Sequence, residues 1–176
     1  MKEEKLYYYG ASMGRSTLIV GSISVIMGLL LSYFILRDVS LSIELLIEFW
    51  QMSLFLLLFI GMGIKLIYSG SILFKKYKNK VVLLRLTPDS IINYERNIIL
   101  KWIDIEDIVY IGFRNKHGIG VKMINEEMLF NQLPIHKRVF YRIFGLGLLD
   151  VLSGEYIEGD GKLVQQEIKD YHEQTK

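Results

Sequence analysis

Cysteine is absent from the 176 residues. That removes disulfide frameworks, thiolate nucleophiles and cysteine-ligated metals together, and it is compatible with any redox compartment. Proline is nearly absent too: Pro88 and Pro134 stand alone, so no Pro-rich linker separates one part of the chain from another. Excess charge of one sign is missing. A formal net charge of +2 is too small to point to nucleic acid. No self-similarity at solenoid spacing and no low-complexity tract occurs. What is abundant is apolar surface, 51% of residues, above the usual range for a soluble domain and concentrated in the first half.

Two long apolar runs carry that excess. Positions 16–36 read STLIVGSISVIMGLLLSYFIL, free of charge and bounded by Arg15 and Arg37. About 20 residues at 1.5 Å each cross about 30 Å of hydrocarbon. A cleaved signal peptide would have a shorter apolar region and small residues before its cleavage point. Tyr33-Phe34-Ile35-Leu36-Arg37 offers no such site, which favours a retained helix. The second run covers 49–74, with Trp50 at one interface and Tyr68 and Tyr77 toward the other. Lys65 interrupts it. If the span ends near Phe74, Lys65 is an intramembrane polar site near mid-bilayer; if it ends near Ser69-Gly70, the ammonium snorkels out along its stem. Neither run contains an acidic partner for it.

Basic residues retained beside a membrane mark the cytoplasmic side. The loop at 37–48 holds Arg37 against Asp38, Glu44 and Glu48, whereas Lys2, Lys5 and Arg15 precede the first run and Lys75, Lys76, Lys78 and Lys80 follow the second. Both termini are therefore expected in the cytoplasm, with the acidic loop outside. Small residues at Ser24, Gly28, Gly61 and Gly63 would let the two helices pack closely.

From Val81 the period shortens. VVLLRLT, SIINYE and IILKWI read as strands, with Pro88-Asp89 and Arg96-Asn97 as turns. Asp104-Ile105-Glu106-Asp107 breaks the pattern. VYIGF and IGVKMI then form a pair across RNKHG. NEEMLFNQL reads as a short helix, HKRVFYRIFG as helix or strand, and Leu148 to Leu152 as a last strand. Asp160 caps a closing helix to about Glu173, whose stripe Val164, Ile168 and Tyr171 must lie on a sheet; Gln165, Glu167, Lys169 and Asp170 fall mostly on its wet side.

The stretches L-x-L-T-P-D-S-I (84–91) and I-L-K-W-I-D-I-E-D-I (99–108), with the two spans, the basic stop and the closing helix, resemble a family of small bacterial two-span membrane proteins. That resemblance implies a pleckstrin-homology-like cytoplasmic domain, a bent antiparallel barrel with one end plugged by a C-terminal helix. It implies no activity, so no catalytic or binding residue is carried over. The expected fold is a membrane α-helical hairpin of two transmembrane helices followed by an α+β, PH-like antiparallel barrel with a C-terminal helix. Its segments are a cytoplasmic start (1–15), transmembrane helices at 16–36 and 49–74, an external loop (37–48) and a cytoplasmic PH-like domain (75–176).

Candidate chemistry is sparse. Trp102 reads as core among isoleucines, or alternatively as an interface anchor. Asp104, Glu106 and Asp107 would suit a divalent cation only with ligand spacing that is lacking. The histidines 117, 136 and 172 form no H-E-x-x-H, and no nucleophile elbow or dinucleotide loop accompanies the G-x-G pairs at Gly118/Gly120 and Gly145/Gly147. These readings favour a non-enzymatic protein without cofactor or metal. Lys75, Lys76, Lys78, Lys137, Arg138 and Arg142, with His136, Lys116 and Arg114 nearby, are candidates for contact with anionic headgroups, against the alternative of an ordinary mixed surface. The expected partners are membrane lipid, an unidentified protein and a second copy of the chain, with no nucleic acid. The expected location is the inner (cytoplasmic) membrane. The functional expectation is a membrane-tethered module that docks a protein or headgroups. The alternatives are immunity against a membrane-active toxin, by analogy, and a transport component using Lys65.

Overall fold

The computed structural model describes residues 3–37, 50–113, 116–135, 138–139 and 151–175. They form two compact units: Ala11–Lys76, and Met1–Gly10 together with Tyr77–Lys176.

The first unit is a pair of helices, α1 (Ala11–Arg37) and α2 (Trp50–Lys78). Both outrun the uncharged stretches, because Arg15 and the Lys75–Lys78 group are good helix formers and no glycine cap or proline intervenes. Both helices are long and apolar enough to cross a membrane, with only 11% and 6% of residues buried in their most apolar windows. Helices of a soluble core would hide those side chains. Internal hydroxyls are satisfied within the helix. Thr17 donates to the Met13 carbonyl at 2.8 Å, Ser24 to Val20 at 2.9 Å, and Ser71 to Ile67 at 2.8 Å. Helices without water use this same local solution.

The helices meet on glycine. Gly14, Gly21 and Gly28 recur every seventh residue on α1, as do Gly63 and Gly70 on α2. A Cβ at Gly21 would lie 2.8 Å from the Gly63 carbonyl oxygen and the Ile67 nitrogen. One at Gly70 would lie 2.9 Å from the Leu18 nitrogen, and one at Gly28 would run into Ile60. Seven-residue spacing keeps the seam facing its partner along the whole hairpin. The expected role of Ser24, Gly28 and Gly63 in this packing holds, whereas Gly61 has open space around it.

In the second unit the strands run β1 (Lys5–Tyr8), β2 (Val82–Leu86), β3 (Ser90–Asn93) and β4 (Ile98–Lys101) in one antiparallel sheet of that order. β5 (Ile105–Phe113) and β6 (Lys116–Met123) form a separate antiparallel pair. The short helix α3 (Glu126–Gln132) and the terminal helix α4 (Gly161–Glu173) complete it. The core is Leu83, Leu84, Leu86, Ile91, Ile98, Leu100, Ile105, Ile108, Ile119, Leu129, Leu152 and Ile168.

Several expectations change. Residues 1–15, expected as a cytoplasmic N-terminal segment, include the strand Lys5–Tyr8, paired to β2 with Tyr8 opposite Val82, and the start of α1 at Ala11. The implied barrel is not closed, for the sheets are four- and two-stranded. β5 begins at Ile105 rather than Val109. A bulge between Ile105 and Asp107 lets Ile105 and Ile108 both face inward, which a strict period of two forbids. The β5–β6 strands stay paired to Phe113–Lys116, so only Arg114 and Asn115 of RNKHG remain between them, outside the described residues. Val151 and Leu152 form a turn, not a strand, and residues 148–150 lie outside the described residues. Of 136–145 only Arg138 and Val139 are described, and both are helical. Asp160 caps α4 as expected, accepting from the Lys162 N–H at 2.8 Å, and Val164, Ile168 and Tyr171 are buried. Gln165 departs from its wet face, donating to the Ile108 carbonyl at 2.9 Å.

Both edges of the larger sheet are covered, which blunts unwanted strand pairing. Beyond β1, the Gly10 N–H donates to the Tyr156 carbonyl at 2.7 Å and the Glu158 N–H to the Tyr8 carbonyl at 3.1 Å. Beyond β4, the Gln132 carboxamide imitates a neighbouring strand. It accepts from the Ile99 N–H at 2.8 Å and donates to the Ile99 carbonyl at 2.9 Å.

Candidate functional site

Lys65 is the one charged residue within the two apolar runs at 16–36 and 49–74. α2 is unbroken through Ser69 and Gly70. Arg15 of α1 lies 6.0 Å over the Phe74 ring, which sets the basic end of one helix level with the end of the other's apolar run. Measured from that level, Lys65 is about 14 Å along the helix. Its side chain is exposed, away from the glycine seam. A lysine at the centre of a spanning helix costs about 2.5–3.5 kcal/mol to insert.

The basic end of α2 places Lys75 and Lys78 outward and Lys76 half-buried. Lys80 follows in the left-handed region at φ 46°. Arg138 turns inward rather than out. Its guanidinium donates to the Leu133 carbonyl at 2.6 Å and the Asn131 carbonyl at 2.9 Å, closing the C-terminal end of α3. Lys137, Arg142, His136 and Arg114 lie outside the described residues, so the structure does not bring the remainder of that group together.

Trp102 is core. Its indole N–H donates to the Thr87 carbonyl at 2.8 Å, and its ring stacks on His172 of α4 at 5.7 Å and leans on Tyr171 at 5.4 Å. The acidic cluster is dispersed into pairs: Glu106 with Lys122 at 2.8 Å, and Asp107 with Lys169 at 3.3 Å. Burial pushes the Asp107 carboxyl up, but the Ile108 N–H, Lys169 and His172 together outweigh it and hold the group below its ordinary value. Among the described residues no three His, Asp or Glu side chains converge as a metal site would require.

Sequence reasoning missed a buried polar hub. Asn93, 1% exposed, donates to the Val151 carbonyl at 3.0 Å and to Ser153 Oγ at 3.2 Å. Its carbonyl oxygen accepts from the Glu95 and Arg96 N–H groups, at 2.9 and 3.1 Å. Arg96 reaches the same Ser153 hydroxyl at 3.1 Å. The local signal was an asparagine directly before a turn; the distant partner, Ser153, left none. Replacing Asn93 by Leu strands several buried groups, each at about 1–3 kcal/mol. Asn93→Leu is therefore expected to lower unfolding free energy by about 3–4 kcal/mol, read as a drop in the urea midpoint of the unit made of residues 3–10 and 77–176.

Tyrosines set a limit on alkaline stability. Burial, then the charge of Glu155, pushes the Tyr156 phenol up to about 12. Burial and the 2.9 Å bond to Glu167 raise Tyr7 further, and burial raises Tyr171. In the unfolded chain these phenols ionise near pH 10, before the folded ones do. Stability is thus unaffected below pH 10 and falls from there toward pH 12. The urea midpoint is expected to drop between pH 9.5 and 11.5, and Tyr156→Phe to reduce that drop.

No protein-family model matches the chain, and no curated protein or solved structure matches it either.

Proposed function

We propose that the chain is a two-span protein of the bacterial inner membrane. Both termini lie in the cytoplasm, and a PH-like cytoplasmic unit docks a protein partner or lipid headgroups without catalysing a reaction. The pairing of β1 with β2 carries this reading. One strand precedes α1 and the other follows α2, so the segments that lead into the first helix and out of the second belong to one folded unit. Such a chain crosses a bilayer an even number of times. The outward apolar faces of both helices and the internally bonded hydroxyls support lipid as their solvent. The lysines at the end of α2 support the cytoplasmic side for that end, and add about 1 kcal/mol each toward an anionic leaflet. The antiparallel sheets and the helix α4 laid on β5 and β6 support the PH-like layout.

The absence of native cysteine makes topology directly readable. In intact cells an impermeant maleimide is expected to label Ser40→Cys and to spare Thr175→Cys until the membrane is opened. Labelling of both, or of Thr175→Cys alone, overturns the proposed topology. Release of the chain by alkaline extraction overturns the membrane reading altogether.

A further inference from the structure

We infer that Lys65 and the stripe around it form the docking face for a transmembrane helix of another protein that carries a carboxylate at mid-depth. This rests on the membrane reading above and names the kind of partner it serves.

α2 has two faces of different character. The glycine seam at Gly63 and Gly70 is taken by α1. On the opposite side Leu54, Leu58, Gly61, Lys65 and Tyr68 follow one another at alternating spacings of four and three, the pattern of a helix-packing seam. Leu58 is 64% and Tyr68 68% exposed, and nothing stands within 4 Å of where a Gly61 side chain would begin. A glycine at that point lets a second backbone come close. Lys65 sits in the middle and makes no hydrogen bond or ion pair among the described residues.

Snorkelling solves the problem poorly. The side chain of a helical residue leans toward the helix N-terminus. For Lys65 that is the Trp50 end, about 22 Å away. The lysine-rich end is nearer: with a core of about 30 Å centred between Trp50 and Phe74, that surface is about 10 Å away, more than the four-carbon stem covers, and the stem would have to bend against its natural direction. A charge held at that depth calls for an opposite charge beside it. This chain cannot supply one. Neither 16–36 nor 49–74 contains Asp or Glu, and a second copy in register would set lysine against lysine. Charge complementarity thus selects a different chain, one whose spanning helix carries Asp or Glu.

The test places a benzophenone amino acid at Leu58 of the full-length protein, in the cells that make it. Irradiation is expected to give a discrete adduct whose partner peptide is a membrane span containing Asp or Glu. Lys65→Leu is expected to reduce that adduct at least about tenfold, Lys65→Arg to retain it, and conversion of the partner's carboxylate to its amide to repeat the loss. A disulfide between Gly28→Cys and Ile60→Cys, unchanged by Lys65→Leu, shows that the hairpin itself survives. Adducts only with lipid or with a second copy, no adduct, or one indifferent to Lys65→Leu overturn the inference. Alkaline extraction of the same cells separates the two failures. A chain that stays with the membrane but gives no adduct overturns the partner alone, and a chain released to the aqueous phase overturns the membrane reading beneath it.

Discussion

A fragment covering Lys80–Lys176 is expected not to fold stably, and joining residues 3–10 to its front through a short flexible linker is expected to restore it. A self-sufficient module following the spans would behave otherwise. The sheet includes β1, and β1 lies ahead of both helices. Removing it forfeits four residue pairs along β2 and the burial of Tyr9, which is 3% exposed and hydrogen-bonded through its hydroxyl to Glu95. It also uncovers the β2 edge beside Leu84 and Leu86. Backbone bonds at about 1 kcal/mol each and about 2 kcal/mol for the tyrosine sum to about 5–6 kcal/mol, comparable to the total stability of a small domain. Because Tyr8 pairs with Val82, the ends at Gly10 and Lys80 emerge side by side, and a linker of about four residues closes them as a hairpin. Urea unfolding followed by circular dichroism compares the two proteins. A cooperative transition in the shorter fragment equal to that of the joined one would show β1 to be dispensable.

Gly21→Leu is expected to open the helical pair. The first added carbon already falls 2.8 Å from two backbone atoms of α2, the Gly63 oxygen and the Ile67 nitrogen, and neither can turn aside as a side chain would. Three further carbons leave separation of the helices as the remaining adjustment. The cost is about 3 kcal/mol or more, at the upper end for overpacking. Disulfide formation between Gly28→Cys and Ile60→Cys reads the separation, and is expected to fall sharply with Gly21→Leu. Gly61→Leu, the same change where nothing stands within 4 Å, is expected to leave it intact. Equal yields in the two variants would refute the seam.

What could be read from the sequence follows the range of the interactions involved. The strands at 82–86, 90–93 and 98–101 are bounded by local turn residues, and Asn97 adopts the left-handed conformation its type favours. The α4 helix announces itself through Asp160 and its stripe. β1 is four residues long, and its partner begins more than seventy positions later, so neither length nor periodicity reveals it. The bulge at Ile105–Asp107 hides β5 behind an apparent break in alternation. For the candidate site, composition shows Lys65 to be alone among apolar residues. Its outward face, opposite the glycine seam, emerges only in three dimensions. The seven-residue spacing of Gly14, Gly21 and Gly28 was present in the sequence, but its meaning depends on the matching glycines of the second helix.

The order of synthesis gives the β1–β2 pair one more consequence. The first strand leaves the ribosome and waits for about seventy residues, on the order of 4–15 s at ordinary elongation rates, before its partner exists. During that wait both apolar helices must find their place. A helix left on the wrong side, or threaded the wrong way, would keep the two strands apart. On the two-span topology proposed above, completion of the sheet would act as a proofreading step on insertion, and a misinserted chain would present an unpaired β2 edge to the proteases that clear such failures.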